Sequence, residues 1–283
     1  MDKRKLEENF FVFLMICSGL IILGTLGLIL VKIIAEGARH LSFTMITQPP
    51  KSGYYLGKEG GILNAILGSF YLTGGATVLA LLLSLPIVLY INVYSRSGSR
   101  LAYLVRFSLD VLWGIPSIVY GAFGFTIMLI LGLKASLLAG MITVTFLMLP
   151  IMARAMDEVV RMVPRELAEA SYALGATRAE TAFKVITRQV VPGISTAVLI
   201  AFGRGIGDAA SLIFTAGFTD SVPTSLFTPV ATLPLAIFFQ FGVPIPEVQG
   251  RAYASALVLT LVILVISVTA RLIAGKLNRN VVK

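Results

Sequence analysis

The polar stretch that decides the fold is DEVVRMVPRELAEASYALGATRAETAFKVITRQVVP, residues 157–192. It is the only sizeable polar segment of the chain, and apolar stretches of roughly 20 residues, the length that a transmembrane helix needs, lie on both sides of it. Apolar runs of that length indicate membrane spans. The sequence therefore predicts an all-α, polytopic membrane helix bundle with one polar loop that is itself structured.

The composition supports the same class of protein. The 283 residues are 57% hydrophobic and 13% charged, with a mean hydropathy of +0.91. Soluble domains average about 45–50% apolar and about 25% charged residues, so one aqueous core could not hide this much apolar surface. Cys17 and His40 are the only cysteine and histidine. No internal disulfide, no metal site and no thiol catalysis are therefore expected.

Six windows of about 20 mostly apolar residues are bounded by charged or turn residues. They predict six transmembrane helices in a single domain of residues 1–283, with a core domain at 70–274. The first span is expected to be an uncleaved anchor, because its apolar stretch is longer than the about 7–15 residues of a signal peptide. The predicted spans are Phe10–Val31, Phe70–Val93, Val111–Leu133, Ala135–Ala153, Ile194–Thr215 and Ala252–Ala274.

The basic residues are distributed unequally between the two sides of these spans. Sixteen of the 23 lysines and arginines fall at the termini and in the loops on the same side as the termini. Because cytoplasmic loops are enriched in Lys and Arg, we predict a multi-pass cell-membrane protein with both termini cytoplasmic. The net charge of +9 is then a topology signal, helped by anionic membrane lipid, and no nucleic acid partner is needed. Five basic residues fall on the external side: Arg39, Lys51, Lys58, Lys134 and Arg251.

The two predicted external loops, residues 36–69 and 216–250, are long enough to hold structure. We expect a short interfacial helix at Ile62–Leu67 in the first. The second contains the apolar piece Leu226–Val243, which two prolines and a glycine interrupt. An interior proline removes a backbone hydrogen bond, so we expect a re-entrant or partly buried segment there. A seventh span is the alternative, and it would place the basic C-terminus outside.

The polar stretch 157–192, the predicted cytoplasmic loop, is typical of two short helices separated by a glycine. Pro164 suits the first turn of a helix that ends at Gly175, and Thr177 with Glu180 forms a capping box for the second helix. Pro192 would end that helix at the membrane. The second helix either lies on the lipid surface as a connector or docks into a groove on a separate soluble subunit. Its apolar face consists of Ala182, Phe183, Val185, Ile186 and Val190.

Residues of this loop carry a resemblance to a known family. Glu169-Ala170-Ser171, followed after three residues by Gly175 and later by Val185 and Pro192, resembles the Glu-Ala-Ala loop of ATP-binding-cassette (ABC) importer permeases. The sequence departs from that pattern where Ser171 replaces the second alanine and where Thr187-Arg188 stand in place of the common Leu-Pro. Neither departure changes the plan of helix, glycine and helix.

Three further stretches are similar to permeases of the PstA type, which are membrane subunits of phosphate importers. These stretches are Ile115–Gly121, Gly60-Gly61-Ile62 and Thr232-Leu233-Pro234. With the loop, they extend the resemblance from about Gly60 to the C-terminus. The resemblance implies the type I ABC importer permease fold, with a MetI-like transmembrane domain.

The same resemblance implies partners and a coupling site. The implied partners are a second, PstC-type permease subunit, two ATP-binding subunits and an external phosphate-binding protein, although the sequence alone leaves a homodimer open. No Gly-x-x-x-x-Gly-Lys-Ser/Thr motif occurs, so no cofactor is expected on this chain, and ATP and Mg would be bound by the partner ATPase. The residues implied to couple to that subunit are Glu169, Ala170, Ser171, Gly175, Ala176 and Thr177.

Two charged residues, Arg204 and Asp208, fall inside the predicted fifth span. An Arg or Asp near a helix centre costs about 2.5–3.5 kcal/mol on insertion scales, so both require a physical reason. Their i, i+4 spacing would place them on one helix face. Either the pair only stabilises the bundle, or Arg204 binds a tetrahedral oxyanion, because a guanidinium can grip two phosphate oxygens. The family resemblance implies the second role, by direct contact or through the electric field.

Residues near these charges have weaker signals. Gly203, Gly205 and Gly207 would let a neighbouring helix or an anion approach the backbone, and Gly203-x-x-x-Gly207 is a small-residue packing pattern. Asp110 is expected to stabilise the positive end of the third span at its start. Ser117, after a proline, would either bond its own backbone or lie in a locally broken helix.

The leading function is therefore the permease subunit of an importer that moves inorganic phosphate into the cytoplasm, driven by ATP hydrolysis on another chain. A permease for sulfate or molybdate is the nearest alternative. A secondary transporter or channel would not need the amphipathic loop. An intramembrane enzyme would need a nucleophile and base, whereas His40 is external and Asp208 has Arg204 as its obvious partner, so a non-catalytic subunit is expected.

Overall fold

The computed structural model describes residues 3–51, 60–95 and 99–277, and most of them are helical, which confirms the all-α class. Lys58, in the external charge count, and Arg96, Arg279 and Lys283, in the cytoplasmic count, lie outside the described residues. The described helices are α1 (Lys3–His40), α2 (Phe43–Thr47), α3 (Leu63–Leu89), α4 (Arg100–Gly114), α5 (Ser117–Ile130), α6 (Leu137–Arg161), α7 (Arg165–Ala173), α8 (Arg178–Glu180), α9 (Thr187–Ile206), α10 (Leu233–Phe241) and α11 (Pro246–Leu277), with π-helical turns at Tyr90–Tyr94 and Thr181–Ile186.

The helix α6 is the centre of the bundle. Its most apolar window is 72% buried, whereas that of α1 is 0% buried. The helices α3, α4, α5 and α9 pack around α6, and side chains such as Met148 and Met152 meet Ala76 and Ala80 of α3 in one core. Small residues such as these alanines let two helices approach closely. By contrast, α1 packs mainly along α11, which leaves most of its apolar surface for lipid or a partner.

Five described helices are long and apolar enough to cross a membrane, and the number is six if α4 and α5 count as one span. The prediction of a continuous third span at Val111–Leu133 is wrong, because α4 and α5 meet at an angle of 102°. The bend lies at Pro116, which disfavours a helical conformation of Ile115, whose ψ is 129°. The hydroxyl of Tyr120 donates to the carbonyl of Leu112 at 2.7 Å across the bend, and this hydrogen bond stabilises the bent conformation.

Two other boundaries differ from the prediction. The expected interfacial helix at Ile62–Leu67 is not a separate element. Ile62 directly precedes α3 and the following residues form its first turn, because Ile62 and Ala65 are buried in a core shared with α10 and α11. The second helix of the predicted cytoplasmic loop does not end at Pro192, since residues Arg178–Ile206 form one 29-residue helix that includes part of the predicted fifth span. Burial of Val190, Pro192 and Ala197 stabilises this helix, because tertiary packing supplies most helical stability in proteins.

The apolar piece Leu226–Val243 contains α10, whose nine residues extend about 14 Å and cannot cross a bilayer core of about 30 Å. It is partly buried, as expected, and is not a seventh span. The chain before it supports the start of α6, because the N–H groups of Leu137 and Leu138 donate to the carbonyls of Thr228 and Leu226 at 2.9 and 2.8 Å. These are the orphan donors that every helix start must satisfy.

Candidate functional site

The predicted cytoplasmic loop forms a closed turn between two helices. The helix α7 follows Pro164 and stops before Gly175, whose φ of +83° lies in the left-handed region. The N–H of Ala176 donates to the carbonyl of Ser171 at 3.1 Å, which closes the end of the helix. A Cβ at Gly175 would meet no atom within 4 Å, so the backbone conformation, and not crowding, is the reason for glycine here.

Side-chain bonds fix the second half of the loop. The Thr177 hydroxyl accepts the N–H of Glu180 at 3.2 Å, and the Glu180 carboxylate accepts the N–H of Thr177 at 3.1 Å, so the predicted capping box is present. Glu180 also pairs with Lys184 at 3.1 Å. The buried hydroxyl of Ser171 lies 2.9 Å from that of Thr181. Ser171, which replaces the second alanine of the family pattern, therefore links α7 to the following helix.

The apolar face of the second helix is mostly used inside the protein. Ala182, Ile186 and Val190 belong to the buried core, because this helix continues directly into the bundle. Two apolar side chains near the glycine turn remain outside this core: Leu174 is 89% exposed and Phe183 is 57% exposed. All six predicted coupling residues lie together in this loop: Glu169, Ala170, Gly175 and Thr177 are exposed, Ala176 is half-buried and Ser171 is buried.

The two charged residues of the fifth span are also brought together. Arg204 lies in the last turn of α9, and Asp208 lies beyond the helix end at Ile206. Nη2 of Arg204 is 3.8 Å from Oδ1 of Asp208, whereas Oδ2 of Asp208 accepts the N–H of Ser211 at 2.9 Å. The prediction that both lie on one helix face, within a span reaching Thr215, is therefore wrong. The carboxylate caps the next turn and holds the arginine only loosely.

The guanidinium of Arg204 is available to a ligand. Its side chain is 51% exposed, and among the described residues its only polar contact is the ion pair with Asp208. A guanidinium has five N–H donors, and an intramembrane charge normally faces a partner or a water-filled cavity. The position therefore suits an anion as a ligand.

The glycines near Arg204 have different roles. A Cβ at Gly205 would lie 2.6 Å from Sδ of Met148, so this glycine allows α9 to pack against α6. A Cβ at Gly203 would meet nothing within 4 Å, so Gly203-x-x-x-Gly207 does not form a packed seam within the described chain. Gly207 lines an apolar cavity of about 890 Å³ together with residues of α10. Gly203 therefore leaves open space at its own position and Gly207 borders the apolar cavity, and neither is required for close helix packing.

A buried polar cluster lies between the end of α3, α4 and α6. The Asp157 carboxylate is fully buried and accepts bonds from Nε and Nη2 of Arg106 at 2.8 and 3.0 Å and from Asn92 at 2.7 Å. Arg154 lies 2.7 Å from Asp110 and 3.7 Å from Asp157. The prediction that Asp110 stabilises a helix start is wrong, because α4 begins at Arg100 and Asp110 lies near its other end. No sequence motif indicated this cluster.

The fold and these sites define a class of protein. Apolar helices long enough to cross a membrane surround a central helix, and a closed helix–glycine–helix loop lies between two of them. Among the described residues, no group of three or more His, Cys, Asp or Glu side chains could hold a metal ion. Such a molecule is a multi-pass membrane permease. The chain belongs to the family of binding-protein-dependent transport system inner membrane components, which matches residues 83–283.

Curated relatives of this chain are phosphate transport permeases. The chain is 36% identical to the phosphate transport system permease protein PstA of Yersinia pestis over 241 residues, which are 85% of this chain and 80% of that protein. It is 31% identical to PstA of Haemophilus influenzae over 269 residues, 95% of this chain and 94% of the relative. The resemblance to PstA-type permeases is therefore confirmed over most of the chain.

Solved structures confirm the fold of a type I ABC importer permease. A chain of the inward-facing MetNI methionine ABC transporter matches with a TM-score of 0.63 and 19% identity, over 76% of this chain and 95% of that one. A chain of the bacterial alginate ABC transporter, solved with an alginate pentasaccharide-bound periplasmic protein, matches with a TM-score of 0.66 and 14% identity over 99% of both chains. At these identities the likeness concerns the fold alone.

Proposed function

We propose that this chain is the permease subunit of an importer that moves inorganic phosphate into the cytoplasm. The observation that carries the proposal is the 36% identity to a PstA phosphate transport permease over 85% of the chain. Arg204 supports it, because a half-exposed guanidinium in a membrane helix suits an oxyanion with several acceptor oxygens. The chain itself catalyses no reaction and binds no cofactor.

In this proposal, two separate ATP-binding subunits, which hold ATP and Mg, dock on the cytoplasmic loop. Leu174 and Phe183 present exposed apolar side chains that a groove on such a subunit would cover. An external binding protein delivers phosphate, and a second, PstC-type permease subunit completes the pathway. The loop and both termini lie on the cytoplasmic side of the cell membrane in this proposal, which the excess of basic residues on that side supports.

The continuous helix from the cytoplasmic loop to Arg204 supports a direct route for coupling. Residues Arg178–Ile206 form one helix of 29 residues, which extends about 43 Å. The capping box at Thr177 marks one end and Arg204 lies in the last turn at the other. Movement of the loop on ATP-driven closure would therefore displace the arginine through one rigid element, as alternating access requires.

The substrate is tested by flux into proteoliposomes that contain the complete transporter with its partner subunits. We expect ATP-dependent uptake of radioactive phosphate that excess sulfate or molybdate does not reduce. Transport of sulfate or molybdate with no response to phosphate would refute the substrate. Phosphate flux that is independent of ATP would instead favour a secondary transporter or a channel.

The coupling role of the loop is tested at Gly175. A valine there must adopt φ near +83°, which costs about 1–2 kcal/mol and will shift the turn that carries Leu174. We expect Gly175→Val to lower the phosphate transported per ATP hydrolysed by about tenfold, the effect of 1.4 kcal/mol. The measurement is the ratio of uptake to ATPase activity in the same proteoliposomes.

Gly132 offers a matched control, because its φ is +66° and its Cβ position is also open, but it lies after α5, far from the cytoplasmic loop in sequence. Gly132→Val introduces the same kind of backbone strain and should leave the ratio unchanged. An unchanged ratio in Gly175→Val would show that the loop is only a connector.

A further inference from the structure

A basic cavity lies beside the cytoplasmic loop, away from Arg204. Its volume is about 940 Å³, and it is bounded by the π-helical end of α3, the start of α4, the end of α6 and the start of α7. Among the described residues that line it, four are arginines and one, Glu169, is acidic. The arginines are Arg100, Arg106, Arg161 and Arg165. The lining therefore carries a clear excess of positive charge.

Part of this positive charge has no salt-bridge partner among the described residues. Arg106 is paired with Asp157 at 2.8 Å. In the described part of the chain, Arg100, Arg161 and Arg165 form no salt bridge. Arg100, Arg161 and Arg165 are exposed but line one concave surface, so an anion bound between their guanidinium groups would reduce the repulsion among them.

Two helix starts add donors to the same cavity. The first-turn N–H groups of a helix lack intrahelical partners and carry partial positive charge. Ser99 precedes α4 and Pro164 precedes α7, both line the cavity, and neither gives a side-chain cap to its helix. The first turn of α4 contains no acidic residue, and Glu166 in the first turn of α7 is not part of the lining. Helix starts combined with arginines form a suitable site for phosphate groups.

We propose that this cavity binds a phosphate-bearing anion, which is either the headgroup of an anionic lipid or inorganic phosphate. Either anion would bridge Arg100 at the start of α4 and Arg165 at the start of α7, and so hold the cytoplasmic loop against the membrane helices. The cavity is larger than one phosphate needs, and Ile91, Val163 and Ile186 supply an apolar part of its lining. This arrangement suits a phosphate attached to a glycerol unit. The proposal does not depend on which substrate the permease moves.

The test uses the purified transporter with all its subunits in nanodiscs. Thermal stability is measured in phosphatidylcholine with increasing phosphatidylglycerol, and separately in phosphatidylcholine with inorganic phosphate titrated at constant ionic strength. The phosphate titration is carried out in an Arg204→Ala background, so that binding in the transport pathway does not contribute. The double variant Arg100→Gln/Arg165→Gln is compared with Arg188→Gln, an exposed arginine of α9 that does not line the cavity.

We expect at least one probe to raise the thermal stability of the Arg188→Gln control. The double variant should need about 30-fold more of that probe for the same rise, since each Arg near an anionic surface contributes about 1 kcal/mol. A response to phosphatidylglycerol assigns the cavity to a lipid headgroup, and a response to phosphate assigns it to the free anion. Equal responses of the double variant and the control to both probes would overturn the proposal. So would loss of the ATP-binding subunits from the double variant with no change in either response, which would assign the cavity to protein docking.

Discussion

Replacing Arg204 with alanine is expected to lower ATP-driven phosphate uptake by about 100-fold, while the transporter still assembles. A hydrogen bond to a charged group contributes about 1.5–3 kcal/mol, and two such bonds from one guanidinium account for at least that decrease in rate. Assembly should persist, because the Arg204 side chain is 51% exposed and only loosely paired with Asp208. Uptake is measured in proteoliposomes, and assembly is checked by co-purification of the partner subunits.

Two further variants define what Arg204 does. Arg188→Ala removes another exposed arginine from the same helix and should retain uptake, so it controls for loss of charge as such. Arg204→Lys keeps the charge but loses the planar, two-pronged geometry. Low uptake in Arg204→Lys would indicate direct contact with phosphate, and near-normal uptake would indicate action through the electric field. Normal uptake by Arg204→Ala would remove this residue from the pathway.

Asp157→Ala is expected to destabilise the folded chain by about 3 kcal/mol, the low end of the effect of breaking a buried ion pair. The carboxylate of Asp157 is fully buried and receives bonds from both Arg106 and Asn92. The low end applies because the Arg106 side chain is 25% exposed and can regain some water. The free energy of unfolding, measured by denaturation in mixed micelles, reports the change.

Glu158→Ala is the matched control for this variant, because Glu158 is the next residue along α6 but is exposed. It should change the free energy of unfolding by less than about 0.5 kcal/mol. The double variant Arg106→Met/Asp157→Leu should recover most of the stability, since apolar residues of similar volume often replace a buried ion pair without loss. Equal free energies of unfolding for Asp157→Ala and wild type would mean that the polar cluster does not stabilise the folded state.

The conformation of the helix–glycine–helix loop could be predicted from the sequence because its geometry depends on local chemistry. A left-handed turn requires Gly175, and the bonds between Thr177 and Glu180 join residues three positions apart. Which surface the apolar face of the second loop helix packs against could not be predicted in the same way. Whether Ala182 faces a partner or the protein's own core depends on where α6 lies.

Span boundaries were less predictable, for a related reason. Hydropathy finds apolar stretches but does not distinguish lipid-facing from buried residues, so it merged the two sides of the bend at Pro116 and extended the fifth span beyond Ile206. The two prolines have opposite outcomes. Pro116 breaks the chain between α4 and α5, whereas Pro192 lies within a continuous helix that packing stabilises.

The sequence by itself determined the membrane class and indicated that Arg204 and Asp208 could pair, because these follow from composition and from the short separation of four residues along the chain. Only the tertiary structure joined Arg106 to Asp157, which are 51 residues apart, and gathered the arginines of the basic cavity from separate helices. Charge interactions depend on distance in space. A sequence records that distance only within a helical turn, and the packing of α4 and α7 around the end of α6 supplies the rest.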